Sequence, residues 1–258
     1  MRLTLAFATT ACLLLCAGAS SAGPGDTGYL GDAGGPDMVA VLPAAPPPDG
    51  PENRADQEIF RSTRSLEGTP RWTMAASDSN EKAILDDLSC AAGVELSTGT
   101  APRLAALIAK IRADVERAVN APKNYYLRPR PFLSLPGNLC VARNDNASPD
   151  YPSGHATWGW SVGLVLAELD PDRATQILVR ARAFGESRVV CGVHNASTVE
   201  ESRTAASAVI AALHGNAEFR ADLDAARAEM AALRAHAVPP PQACAAEAAL
   251  TAHTPWRP

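Results

Sequence analysis

Aromatic residues make up only 5% of this 258-residue chain, and no segment alternates apolar with polar side chains as a half-buried strand must. A sheet is excluded on that ground, and the abundance of alanine favours helix. A basic excess is also absent. With 23 Lys and Arg against 28 Asp and Glu, the net charge of -5 argues against a nucleic-acid surface. Beyond residue 22 no apolar run approaches the ~20 residues needed to span a bilayer. There is no C-x-x-C, so a zinc centre has no ligand set. Internal repeats and heptads are missing as well. The length suits one domain with a full core, and the reading is a single all-α globule.

The first 22 residues read as a signal peptide. Arg2 supplies a positive start, Leu3 to Cys16 an apolar stretch, and Ser20-Ser21-Ala22 small residues before Gly23. Export to the periplasm or beyond is expected, with no membrane attachment once the signal is removed. Removal leaves Cys90, Cys140, Cys191 and Cys244, an even number that suggests two disulfides. Three pairings are possible. Cys140–Cys191 is favoured because both flank the blocks described below, which leaves Cys90–Cys244.

Residues 23–52 are rich in Gly, Pro, Asp and Ala and read as an arm, in which Val39 to Leu42 could dock on the body. A helical domain is expected over 53–237. Its helices begin near Ala55, at Trp72 to Leu88 and from Ala101 to about Pro122. Others follow at His155 to Leu169, Asp172 to Phe184, Val199 to Leu213 and Ala217 to Ala235. Thr69-Pro70 reads as an N-cap with proline at the first helical position. Residues 238–258 form a Pro/Ala-rich tail, held at Cys244.

Three short blocks carry the chemistry. Lys123 precedes Arg130-Pro131 by seven residues in a proline-rich segment read as a loop, with Arg128 a decoy for the same role. Pro152-Ser153-Gly154-His155 opens an apolar helix, with Ser153 the natural N-cap. A helix N-terminus offers free N–H groups and partial positive charge, so it suits an anion, and Gly154 lets a ligand approach the backbone. Ser187-Arg188 is followed by His194. Two arginines and a lysine match phosphate oxygens. One histidine can give a proton and a neutral one can attack phosphorus. Such a nucleophile needs a carboxylate on its far nitrogen.

This pattern resembles the signature of the class A bacterial non-specific acid phosphatases, within the superfamily of type 2 phosphatidic acid phosphatases and vanadium haloperoxidases. The family motif, K-x6-R-P, then P-S-G-H, then S-R-x5-H-x3-D, is met at Lys123, Arg130, Pro131, Pro152 to His155, Ser187, Arg188 and His194. The likeness runs from about Tyr29 to Leu233 and includes Thr63-Arg64, Pro70-Arg71-Trp72 and Gly159-Trp160. It implies an all-helical phosphatase that needs no metal and no cofactor and acts on phosphate monoesters of broad specificity. By the same resemblance His194 is the nucleophile forming a phosphohistidine and His155 the general acid. Lys123, Arg130, Ser153, Gly154 and Arg188 hold the phosphate. A homodimer is left open.

The motif's last residue departs from the family. Thr198 stands at the orienting position where the motif has Asp, and it can accept a hydrogen bond from His194 without supplying charge. Glu201 is too far along the helix to substitute, so slow turnover is expected unless another acid reaches in. A catalytically degenerate relative that only binds phosphate ligands is the alternative. Tyr125, Tyr126 and Trp160 are candidates for the pocket walls beyond the phosphate.

Overall fold

The computed structural model describes residues 27–31, 34–236 and 244–257. The predicted signal segment, residues 1–22, lies outside them. Ten α-helices and no strand occur among the described residues, so the structure is all-α as expected. They are α1 Met38–Val41, α2 Pro51–Thr63, α3 Pro70–Ser77, α4 Ile84–Ala92, α5 Pro102–Tyr126, α6 Gly154–Leu169, α7 Ala174–Val190, α8 Ala196–Leu213, α9 Ala217–Ala235 and α10 Cys244–Thr251.

The centre of the fold is α6. It is apolar nearly all round, as a fully surrounded helix must be, and α5, α7, α8 and α9 pack about it. Glycine makes the α6–α7 contact possible. A Cβ at Gly163 would lie 2.3 Å from that of Ala181, and one at Gly159 would lie 2.3 Å from Phe184 Cδ1. The close approach places the first turn of α6 beside the last turns of α7, where His155 and Arg188 sit.

On α5, Leu104, Leu107, Ile108, Ile111, Val115 and Val119 recur at threes and fours, and all are buried. Each fully buried aliphatic side chain contributes roughly 1.5–3 kcal/mol of transfer free energy. That stripe carries the helix through Pro122, where the sequence predicts its end. Proline costs a hydrogen bond and a clash, yet the helix continues one turn to Tyr126. It stops where Leu127 turns left-handed (φ 48°) and its N–H bonds the Lys123 carbonyl at 3.1 Å. Lys123 is therefore held on a helix rather than on the loop expected.

A second difference concerns Trp72 to Leu88, which divides into α3 and α4. Asp78, Ser79 and Asn80 between them favour local hydrogen bonding over helix. Buried Asp78 accepts from Arg180 at 2.6 Å and from Ser187 at 2.5 Å, which pins this turn against α7. Arg71 donates to Ser187 Oγ (3.0 Å) and Arg64 to the carbonyls of Val189 and Val190 (3.1 and 2.6 Å). These two arginines thus tie the N-terminal helices to the end of α7. Gly192 follows with φ +76°, and a Cβ there would meet Arg64 Nη1 at 2.7 Å.

The arm is less extended than its composition suggests, because Tyr29, Met38 and Leu42 all enter the main core. The disulfides join Cys90 with Cys244 and Cys140 with Cys191. The first anchors α10, a helix where a loose tail was expected. The second clamps the segment after Arg130 to the C-cap of α7.

Candidate active site

Where the last turn of α5, the N-terminus of α6 and the end of α7 converge, a cavity of about 210 Å³ opens. Lys123, Arg130, Gly154, His155, Arg188 and His194 all line it. Arg112 also lines it and pairs with Glu81 and Glu116, whereas neutral groups tether the other three cations. Lys123 Nζ donates to the Pro149 carbonyl, Arg130 to those of Ser148 (2.8 Å) and Val193 (3.0 Å), and Arg188 to Ser79 Oγ (2.9 Å). Buried positive charge held by dipoles alone calls for an anion. Burial, with Arg130 adding to it, lowers the Lys123 ammonium to about 8 and the Arg188 guanidinium to about 10. Arg188 Nε is buried without a partner.

On one side of the cavity stands His194, between α7 and α8. Its Nδ1 lies 2.7 Å from Oδ1 of Asp150, a carboxylate fully buried in the loop before α6. Burial works to raise the Asp150 pKa, but hydrogen bonding and charge from His194, with Arg128 and Thr198 assisting, overcome it and leave the group below its ordinary value. An ionised Asp150 can only accept, so the His194 proton is assigned to Nδ1 and Nε2 keeps its lone pair. Burial and Arg130 hold His194 well below the usual histidine range, hence neutral.

His155 is the second histidine, stacked on Phe184 with ring centroids 4.3 Å apart. Its Nδ1 is 3.0 Å from Glu81 Oε1, and its buried Nε2 has no partner. Burial lowers its pKa to about 4, against the pull of Glu81. For Glu81, burial acts upward, and the His155 hydrogen bond and charge with neighbouring Arg112 override it to about 2. One neutral imidazole with a free lone pair, one imidazole able to carry a proton, and three cations hydrogen-bonded to neutral groups together suit attack on a phosphate.

Comparison with known proteins gives the family. Residues 104–220 match the PAP2 superfamily. The chain is 41% identical to an acid phosphatase of Zymomonas mobilis over 207 residues, 78% of each chain. It is also 33% identical over 215 residues to a non-specific acid phosphatase of Providencia stuartii, covering 81% of this chain and 87% of that one. A non-specific acid phosphatase of Salmonella typhimurium is 31% identical over 195 residues, 73% and 78%. The chain belongs to the bacterial non-specific acid phosphatases of the PAP2 superfamily. It is a phosphatase, a hydrolase acting on phosphorylated small molecules.

Within this phosphatase two sequence expectations change, and Arg128 does not line the cavity. Thr198 does not reach His194: its hydroxyl donates to Asp150 Oδ2 at 2.5 Å, and Asp150 holds the orienting place. Ser153 is fully buried, takes the Ala156 N–H as N-cap at 3.3 Å and does not line the cavity. Arg128, read as a decoy, is a buried tether. It donates to Asp56 (2.7 Å), Asn53 (3.0 Å), Ser197 (2.8 Å) and Thr198 (2.9 Å), and Nη1 stands 3.6 Å from Asp150. Asp150 also accepts from Asn195 Nδ2 at 2.9 Å.

The aromatic walls differ as well. Tyr125 is 68% exposed, Tyr126 faces another cavity and Trp160 lies under Arg203, so Trp158 alone lines the phosphate pocket. Asp150 and Glu81 were the residues sequence reasoning missed. Asp150 stands three places before Ser153, which is the only local signal it gave. Nothing in the spacing joins Glu81 to His155. No group of three or more His, Cys, Asp or Glu able to hold a metal ion occurs among the described residues.

Proposed function

We propose that this protein is an exported acid phosphatase that hydrolyses phosphate monoesters of broad specificity through a phosphohistidine on His194, without a metal ion. The observation that carries the proposal is the 2.7 Å contact between His194 Nδ1 and Asp150 in a pocket also lined by His155, Lys123, Arg130 and Arg188. Lys123, Arg130, Arg188 and the N–H groups at Gly154 bind the non-bridging oxygens and neutralise charge as it develops. Nε2 of His194 attacks phosphorus while the bond to the ester oxygen breaks, and protonated His155 Nε2 delivers its proton to that oxygen. Water then gives a proton back to His155 as it attacks the phosphohistidine, releasing phosphate and free His194.

Asp150 supplies the charge that Thr198 lacks, so the physical basis for expecting slow turnover is removed. It also weighs against the binding-only alternative, because a buried carboxylate against a neutral histidine serves nucleophilic attack and adds nothing to anion affinity. The two disulfides, which persist in oxidising compartments, support export.

Rapid mixing with ³²P-labelled substrate, quenched in alkali, tests the mechanism. Label should stay with the protein in alkali, be lost in acid and be missing from His194→Ala. Label on serine, or none in a burst of product, would defeat it. Hydrolysis of p-nitrophenyl phosphate between about pH 4 and 7 should be unaffected by EDTA.

A further inference from the structure

We infer that Trp256 is a positioning residue for His194, bracing the two helix ends between which that histidine is held. The inference rests on the reading of His194 as the nucleophile. Residues 244–257 run along α7 towards the loop that carries it. Cys244 is bonded to Cys90 on α4, and Glu247 lies 3.3 Å from Arg180. Arg182 donates to the Thr251 carbonyl at 2.8 Å, and Thr254 donates to the buried carboxylate of Glu186 at 2.7 Å. Arg257 then reaches across to Glu200 on α8. Glu186 stands one turn before the end of α7 and Glu200 one turn after the start of α8. The ties at Thr254 and Arg257 therefore span Cys191 to Asn195, the loop between the two helices.

Trp256 lies between those ties. Among the described residues it is the one side chain packed against both small apolar clusters outside the main core. The first contains Val190, Cys191 and Val193, which precede His194. The second contains Ala196 and Val199, which follow it, and Ala156, which neighbours His155. Its Nε1 is buried without a hydrogen-bond partner, so the indole acts here through its shape. The loop has little backbone support of its own. The N–H groups of Val193 and His194 share one acceptor, the Arg188 carbonyl, at 3.0 and 3.3 Å. Gly192 beside them has φ +76°, open to left-handed backbone. Misplacing a reacting group by about 1 Å costs on the order of 10²-fold in rate, so an external brace on this loop bears directly on turnover.

The test uses the full chain labelled with ¹⁵N-histidine. It follows three quantities: the Nδ1 proton resonance of His194, assigned by its loss in His194→Ala, kcat for p-nitrophenyl phosphate, and the inhibition constant of inorganic phosphate. Trp256→Ala should lower kcat about 10- to 100-fold and move the resonance upfield as the contact with Asp150 lengthens. Phosphate inhibition should stay within threefold, because Lys123 and Gly154 are carried by α5 and α6. Trp256→Phe, which keeps an aromatic ring, should restore kcat to within threefold of the wild type. A folded Trp256→Ala protein with kcat within twofold of the wild type and an unmoved resonance would overturn the inference, whatever its melting temperature. If Trp256→Ala does not fold, the double variant Thr254→Val/Arg257→Ala decides by the same readings. A threefold or greater loss of kcat with an upfield shift supports the brace, and wild-type values overturn it. Activity retained by His194→Ala would defeat the nucleophile reading instead, while the resonance still decides whether Trp256 holds the loop.

Discussion

Nδ1 of His194 and Oδ1 of Asp150, 44 residues apart in the chain, are 2.7 Å apart in space. Asp150 Oδ2 meanwhile takes the hydroxyl of Thr198 at 2.5 Å, so the acid and the threonine face each other across one hydrogen bond. The carboxylate takes the function the family motif gives to position 198 but comes from the loop before α6 rather than from α8.

Asp150→Asn should therefore reduce kcat strongly with little change in KM. An amide can present its N–H to Nδ1 and drive the proton to Nε2, the wrong tautomer for attack. Losing the corresponding carboxylate of a serine-protease triad costs on the order of 10⁴ in turnover, and a loss of 10³ to 10⁴ is expected here. Steady-state kinetics on a variant with wild-type circular dichroism provides the check, and a loss below tenfold would refute the role.

Thr198→Asp in the native background should lower activity, because it sets two buried carboxylates against each other. In an Asp150→Ser background the same change should restore turnover by at least tenfold over the single Asp150→Ser variant. The comparison of the three variants at one pH measures whether the charge, rather than its chain position, is what His194 requires.

The falling limb of kcat/KM with pH should lie on the acid side of 6.5, since burial lowers His155 to about 4 and its protonated form is lost as pH rises. Glu81 opposes that fall by favouring the charged imidazole. Glu81→Gln should consequently move the limb to still lower pH, and above it each unit of displacement costs tenfold in rate. A pH–rate profile of both proteins settles the direction.

Inorganic phosphate should inhibit less well as pH rises through about 8, where Lys123 loses its charge. Lys123→Arg should extend inhibition to higher pH. Lys123→Met should weaken it at pH 6 by about 10- to 100-fold, the equivalent of a charged hydrogen bond worth about 1.5–3 kcal/mol. Inhibition constants measured from pH 5 to 9 provide the readout.

Replacing Cys140 and Cys191 by serine should destabilise the fold by about 4 kcal/mol, the chain-entropy value for a loop closed across a separation of 51 residues. Denaturant unfolding measures it. Activity should fall with it, because the bridge sits between Arg188 and His194.

Much of the helical fold was legible because its signals are local. The threes-and-fours stripe on α5, the Thr69-Pro70 start of α3 and the Ser153 cap of α6 each depend on neighbours within one or two turns, and each stands where the sequence puts it. Two local readings failed for local reasons overridden by packing. Pro122 does not end α5, since the buried stripe upstream holds the helix past it. Asp78 to Asn80 interrupt what the periodicity reads as one helix, because Arg180 and Ser187 draw Asp78 to α7.

The chain alone determined which cations and histidines belong to one phosphate site, since motif spacing and residue chemistry are properties of the sequence. Only the tertiary structure decided which carboxylates complete it. Asp150 and Glu81 reach their histidines from loops far away in the chain, and what makes them partners is burial. Inside a dry pocket an imidazole and a carboxylate must satisfy each other, and no periodicity along the chain records that demand.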